Sequence, residues 1–338
     1  MQALLISFGM MALTSCSKPP VQGQNTSFSM GTAITTTLYG DDSSNIESGL
    51  AAVSASLDAV DKDISWRIDG SVTDIFNEQH EAVTGDREEV YRIALDVAEK
   101  SGGAFDPTIL PVSKLWDFGG ENQRHPSQEE IESALLNVDY QAVSLNEGIL
   151  KTENSSLLFE LGAVGKGYAL EAAANLIQRE EVSGGILSAG SSILTFGTKP
   201  DGSLFNVALR DPRGTQEDRI GVFSLTDLSI STSGDYEKYF EEDGKRYHHI
   251  LDARTGEPAD SGLMSVTVIS DNSTLCDALS TAGFILGLDE GMKLLDNYGV
   301  MAVFIDNQRN VYYNNERVLE LLSFDGEDKG YTLKLYQG

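Results

Sequence analysis

Residues 247–287 read YHHILDARTGEPADSGLMSVTVISDNSTLCDALSTAGFILG. The stretch begins as a strand carrying the adjacent histidines His248 and His249, turns through a polar ARTGEP loop, runs on as a second strand and ends in an apolar helix. Within that helix Asp277 is a lone carboxylate, with hydroxyls at Ser280 and Thr281. Positions i, i+3 and i+4 share one helical face, so the three side chains can point at one object. A carboxylate in apolar surroundings needs a partner, because an unpaired buried charge is costly. A hard cation held by oxygen is the natural partner.

Outward from this stretch, helices and strands stay intermixed without a regular βαβ beat. That predicts an α+β fold with antiparallel-rich sheets, as one unit with possible subdomains around a cleft. GTAITTTLYG is a strand ending near Gly40. Ile46, Leu50, Val53, Leu57, Val60 and Ile64 recur at spacings of four and three, which marks an amphipathic helix. A second helix is expected from about Arg87 to Lys100, stopping at Gly102-Gly103. Ser127-Gln-Glu-Glu130 is a capping box opening a third, through about Leu136. GYALEAAANLIQR, from Gly167 to Arg179, makes a fourth. Residues 185–231 turn β-rich, and VMAVFID, NVYYNN and GYTLKLYQ close the chain as strands.

The chain has 338 residues, with 24 Lys+Arg against 52 Asp+Glu, a net charge of −28. At 41% apolar it can bury a sizeable core and is no disordered acidic tail. The charge argues against nucleic acid, whose phosphates demand a basic surface. An anionic substrate would have to be received by a local cation, since the global field repels it. The bulk charge itself reads more simply as a solubility or salt adaptation.

Of the two cysteines, Cys276 sits in the apolar helix and reads as a small core residue without an adjacent base. Cys16 follows MQALLISFGMMALTS, an apolar run too short to span a bilayer as a stable anchor. Leu13-Thr14-Ser15-Cys16, with the polar SKPPVQGQNTS behind it, resembles a bacterial lipoprotein signal cleaved before Cys16, which would carry the lipid. The basic n-region is missing, and an ordinary secretory signal is the alternative. Either way residues 1–15 are expected to be a signal peptide and residues 16–27 a lipidated cysteine with a flexible tether. Residues 28–338 would form the functional domain, exported to the periplasmic side of a bacterial membrane.

Familiar chemical motifs are absent: no G-x-x-x-x-G-K-[ST], G-x-G-x-x-G, G-x-S-x-G or H-E-x-x-H occurs, and two cysteines cannot make a zinc ribbon. Lys166, after Gly165 at a helix start, suits an anion, with a plain glycine turn as the equal alternative. Asp106 before Pro107 reads in isolation as a turn residue. One histidine of the His248-His249 pair should face inward, because a strand alternates faces. Trp66 is either core or a flat stacking surface.

Together these segments resemble the ApbE family of FAD:protein FMN transferases. The resemblance runs in order through Met30-Gly31-Thr32, ISWRIDGSVTDIFN, GGAFDPTILPVSKLWDFG, ELGAVGKGYALE, STSGDYEKYF, YHHILDARTGEP and CDALSTAGFILG. It implies an α+β fold that binds FAD beside Mg²⁺ and moves FMN onto a Ser or Thr of a partner protein, releasing AMP. Carried over by position, it implies metal ligands at Asp277, Thr281 and the Ala163 carbonyl, with Ser280 nearby. FAD contacts would come from Met30, Trp66, the Ala104-Phe105-Asp106 turn, Glu160, Lys166 and the strand His249-Ile250-Leu251. His249 would handle the proton, and Asp277 would serve the chemistry through the metal.

Three positions depart from the family pattern. Ala253 replaces a usual proline, Glu160 a common Asp, and Gly190-Ser191-Ser192-Ile193 a typical Gly-Gly-Asn-Ile. Expected acceptors are subunits of sodium-pumping quinone reductases or Rnf-type complexes. The rival readings are an Mg²⁺-dependent FAD pyrophosphatase and a non-catalytic flavin-binding lipoprotein.

Overall fold

The computed structural model describes residues 20–177 and 181–338. The expected signal peptide, the lipid site Cys16 and Arg179 at the expected end of the fourth helix lie outside those residues. In chain order the strands are β1 (Val21–Ser29), β2 (Thr32–Gly40), β3 (Glu81–Val83), β4 (Val143–Asn146), β5 (Ile149–Thr152), β6 (Val182–Ala189), β7 (Ser192–Gly197), β8 (Phe205–Arg210) and β9 (Arg219–Leu225). They continue with β10 (Ser229–Gly234), β11 (Tyr239–Glu242), β12 (Lys245–His248), β13 (Leu263–Ser270), β14 (Met301–Asp306), β15 (Asn310–Tyr313), β16 (Leu322–Phe324) and β17 (Thr332–Leu335). The helices are α1 (Ser43–Ile64), α2 (Val72–Gln79), α3 (Glu88–Lys100), α4 (Leu110–Trp116), α5 (Gln128–Leu135), α6 (Gly165–Ala174), α7 (Ser273–Tyr298) and α8 (Arg317–Leu321).

A nine-stranded sheet in the order β1-β2-β6-β7-β10-β13-β14-β15-β17 forms the middle layer. Its neighbours pair antiparallel except β15 with β17. Strand β14 shows how both faces are covered. Ala302 and Phe304 join the large core under α1, α6 and α7, while Met301, Val303 and Ile305 join a second core with β8 and β9. Alternate residues of a strand point to opposite faces, so a strand buried on both sides reads as a continuous apolar run. A third, aromatic-rich core holds Trp116, Ile131 and Tyr247 where α4 and α5 meet the β11–β12 hairpin.

Helix α1 buries Ile46, Val53, Leu57, Val60 and Ile64, the stripe its spacing predicts, and Asp42 caps its first turn. The capping box of α5 forms between Ser127 and Glu130. One expectation is corrected. The segment expected to be a flexible tether is, from Val21 onward, the edge strand β1, paired without a break from Val21↔Gly40 to Ser29↔Thr32. Its sequence is polar because one edge and much of one face stay in solvent, while the ladder to β2 satisfies the backbone groups on its inner edge.

Two glycines shape the site. At Gly167 of α6 a Cβ would stand 2.2 Å from the Ser273 carbonyl oxygen, so only glycine lets α6 approach the start of α7 this closely. Gly287 interrupts α7 with φ 80° and ψ −171°, a backbone that side chains of L-residues rarely adopt.

Candidate active site

Asp277 lies one turn inside α7, 3% exposed, where α7 crosses α6, β7 and β10. Its Oδ2 accepts the Gly167 backbone N–H at 2.9 Å. Its Oδ1 accepts the hydroxyls of Ser192 at 3.0 Å and Ser231 at 3.2 Å, and Lys166 Nζ stands 3.4 Å away. A buried charge is tolerated only when paired and hydrogen-bonded, and this carboxylate is both. Strand alternation puts Ser231 and Ser233 of β10 on the face toward α7. The Ser233 hydroxyl bonds those of Ser280 at 2.9 Å and Thr281 at 3.1 Å.

Of the three α7 side chains read together in the sequence, Ser280 and Thr281 meet at Ser233, while Asp277 bonds Ser192 and Ser231. Ser280 is fully buried, and its hydroxyl turns back to donate to the Asp277 carbonyl at 2.9 Å. Thr281 is half-buried one position on. Ala163 belongs to the turn that opens α6. That turn is pinned by the Gly162 N–H on Glu160 Oε2 at 2.8 Å and by Lys166 Nζ on the Gly162 carbonyl at 3.3 Å. Burial pushes the Glu160 carboxyl up, opposed by the Gly162 N–H and by the charges of Arg67 and Lys166.

His248 is the inward-facing member of the pair. Its Nε2 donates to the Ala259 carbonyl at 3.1 Å, and its ring meets Phe284 edge-on at 5.4 Å. His249 is half-buried, and both its backbone N–H (3.0 Å) and its Nδ1 (3.3 Å) point at the Lys238 carbonyl. A carbonyl only accepts, so Nδ1 carries the proton and Nε2 keeps a lone pair. Burial holds the imidazole down to about 3, helped by the positive charges of Lys238 and Lys166. His249 is thus neutral near pH 7 and feels the same lysine that faces Asp277.

The remaining residues fall into two kinds. Asp106 ties its own turn to a distant segment: Oδ1 accepts the Thr108 N–H at 2.8 Å and hydroxyl at 2.7 Å, and Oδ2 accepts the Tyr140 N–H at 3.0 Å. The isolated turn reading of Asp106 describes the Thr108 half of this geometry, and its carboxylate oxygens are already engaged within the protein. Ala104 and Phe105 are buried, and the Ala104 carbonyl accepts the Ala253 N–H at 3.2 Å, joining this turn to the loop after Leu251. Pro107 accepts from the Glu160 N–H at 2.7 Å, so the 104–107 and 160–167 segments are neighbours. Ile250 and Leu251 are buried core positions. Trp66 is half-buried, with the Arg67 guanidinium carbon 4.1 Å and Lys114 Nζ 4.8 Å from its ring centre. Its ring sits in a cationic corner of an acidic protein.

A family model described as "ApbE family" matches residues 30–305. The chain belongs to the ApbE family. Two relatives are each named FAD:protein FMN transferase. That of Treponema pallidum (strain Nichols) is 35% identical over 64% of this chain and 65% of its own length. That of Klebsiella pneumoniae (strain 342) is 29% identical over 82% of each chain. The match thus spans just under two thirds of the Treponema protein. Among solved structures, the ApbE protein of Thermotoga maritima superimposes with TM-score 0.76 at 31% identity, covering 93% of this chain and all of that one. The apo form of the flavinyl transferase ApbE of Pseudomonas stutzeri gives 0.74 at 27% identity, covering 92% and 96%.

Within this ApbE chain, sequence reasoning missed the partners of the carboxylate. Ser192 lies in the Gly-Ser-Ser-Ile departure from the family's Gly-Gly-Asn-Ile, and its hydroxyl is on Asp277. Ser231 and Ser233 alternate in the quoted STSGDY run, and that spacing was the available signal. Among the described residues no group of three or more His, Cys, Asp or Glu could hold a metal. The candidate ligands are instead one carboxylate, one hydroxyl and one carbonyl, all hard oxygen donors, which suits a hard divalent cation shared with substrate oxygens. Among the described residues no helix is long and apolar enough to cross a membrane.

Proposed function

We propose that this chain transfers FMN from FAD to a Ser or Thr hydroxyl of a target protein and releases AMP. The observation that carries the reading is the buried Asp277, drawn against Lys166 and the start of α6 by the Gly167 N–H and two serine hydroxyls. The family and the named relatives support it.

In the reaction the acceptor oxygen bonds the phosphorus of the FMN half, and the diphosphate P–O bond to the AMP half breaks. The hydroxyl proton leaves the acceptor. Such transfers need positioning and charge stabilisation more than covalent help. Asp277, Thr281 and the Ala163 carbonyl, all oxygen donors, would hold Mg²⁺, which when bound would neutralise phosphate oxygens and polarise the reacting phosphorus. The Lys166 ammonium would receive anionic oxygen in a protein that otherwise repels it. Nε2 of His249 has the free lone pair to take the acceptor proton. Burial is the main reason its proton affinity is low; Lys166 lowers it further, and a diphosphate bound beside Lys166 would offset that smaller part. Trp66 offers a ring for the flavin or adenine, with Arg67 and Lys114 beside it.

The chain is further proposed to be an exported lipoprotein, anchored through Cys16 on the periplasmic side. Its acceptors would be quinone reductase or Rnf-type subunits. The test incubates the soluble chain lacking residues 1–16 with FAD, Mg²⁺ and a candidate acceptor. Covalent flavin on the acceptor that is lost in Asp277→Ala supports transfer. Free FMN and AMP without it indicate a hydrolase, and unchanged FAD indicates a flavin-binding protein.

A further inference from the structure

The β1–β2 hairpin breaks a local rule, and α1 breaks a second one at the same point. The hairpin closes through Met30 and Gly31, both with positive φ (52° and 70°), between the paired residues Ser29 and Thr32. Such a two-residue turn asks for Asn, Asp or Gly first; methionine adopts the left-handed backbone only at a cost. Facing it, Asp61 lies in the last turn of α1, where the helix dipole disfavours a carboxylate. The two features meet directly. Asp61 Oδ2 accepts the Met30 backbone N–H at 2.9 Å and the Ser29 hydroxyl at 3.2 Å. The half-buried Met30 side chain packs against the large core, with its terminal methyl 4.0 Å from where a Cβ on Gly165 would lie. Gly165 opens α6, one residue before Lys166.

We infer that Asp61 is a positioning residue: it holds Met30 in a strained backbone so that the thioether covers the head of α6 and forms a wall of the dinucleotide site. Residues that violate local preferences persist where the surroundings over-determine them, commonly beside functional sites. An asparagine at position 30 would make a more stable turn and leave that wall open. A methionine held there by a carboxylate from another element gives up hairpin stability for the shape of the cleft. The inference rests on the proposed function, since it takes the head of α6 as the place that receives FAD.

The test is a double-substitution cycle on the full chain, read by FAD fluorescence quenching and by thermal unfolding. Met30→Asn is expected to keep or raise Tm while weakening FAD binding about tenfold. Met30→Leu, which keeps the bulk, should bind FAD within about threefold of the parent. Asp61→Ala should lower Tm and weaken FAD binding, but in the Met30→Asn background its effect on FAD affinity should disappear, because it acts through Met30. Additive effects of the two substitutions on FAD affinity would overturn the inference, as would unchanged affinity in Met30→Asn. If the unsubstituted chain does not bind FAD, the functional reading itself fails and takes this inference with it.

Discussion

Gly167→Ala isolates the contact on which the whole site depends. The added methyl would meet the Ser273 carbonyl oxygen at 2.2 Å and Asp277 Cβ at 2.8 Å, both on the stiff first turns of α7. Neither is the far end of a flexible side chain, so α6 must back away and stretch the 2.9 Å bond from the Gly167 N–H to Asp277 Oδ2. Overpacking of this kind costs about 1–3 kcal/mol. Losing a hydrogen bond to a charged acceptor costs about 1.5–3 kcal/mol more. Alanine's better helix propensity returns about 1 kcal/mol. The net, about 3 kcal/mol, corresponds to a fall in Tm of roughly 6 °C at the lower end of the scale for large domains. The assay is thermal unfolding, paired with flavin transfer at saturating FAD. Transfer should fall much further than stability, because Lys166 and Asp277 are displaced together. If Gly167→Ala melted within about 1 °C of the parent and kept its activity, the close helix approach would not be what builds the site.

Other substitutions probe separate parts of the arrangement. Asp277→Asn keeps the shape but removes the charge, and metal-dependent transfer should drop at least about a hundredfold, with no recovery at high Mg²⁺. His249 has a folded-state affinity for protons held down to about 3, below its ordinary value of 6.5. Between those values the unfolded chain binds more protons, so this group's stability contribution is complete above pH 6.5 and is lost as pH falls toward 3. His249→Gln should therefore flatten the decline in Tm between pH 7 and pH 5 relative to the parent. Glu160 runs the other way, because burial raises its carboxyl above 4.5 and its contribution disappears as pH rises through the raised value. Glu160→Gln should therefore stabilise the chain more at pH 8 than at pH 4. Cys276 is fully buried, its sulfur 3.5 Å from the Ser229 carbonyl, and burial drives its thiol far up. Iodoacetamide followed by peptide mapping should modify Cys276 only after denaturant is added.

Much of the architecture was legible because it is written in local periodicity. The α1 stripe, the α5 capping box and the continuous apolar run of β14 each follow from residues within a few positions of one another. β1 was misread because its VQGQNTSFS sequence is that of a solvated edge strand, whose order comes from β2 rather than from its own burial. Helix α2 is short and buries only Thr73 and Phe76, too few positions to show a period. In the site, Asp277 and Thr281 stood out as polar groups on an apolar helix. Their partners did not, because Ser192 lies 85 residues and Ser231 46 residues away in sequence, and only the sheet order brings them together. Asp106 is a mixed case: turn chemistry accounts for its bonds to Thr108, while the Tyr140 N–H on its other oxygen comes from 34 residues away.

The break at Gly287 bears on how this protein can change over time. A regular helix turns about 100° per residue, so one inserted residue would swing everything beyond it onto another face. The front of α7 carries Asp277 and Thr281, while the rear buries Met292, Leu294 and Leu295 against the sheet. In an unbroken rod those two sets would share one phase, and any length change near the rear would force a choice between core and chemistry. With the phase reset at Gly287, insertions or deletions in the rear half stop there. The front of α7 keeps its register around Asp277, while the rear half answers only to the core that it fills.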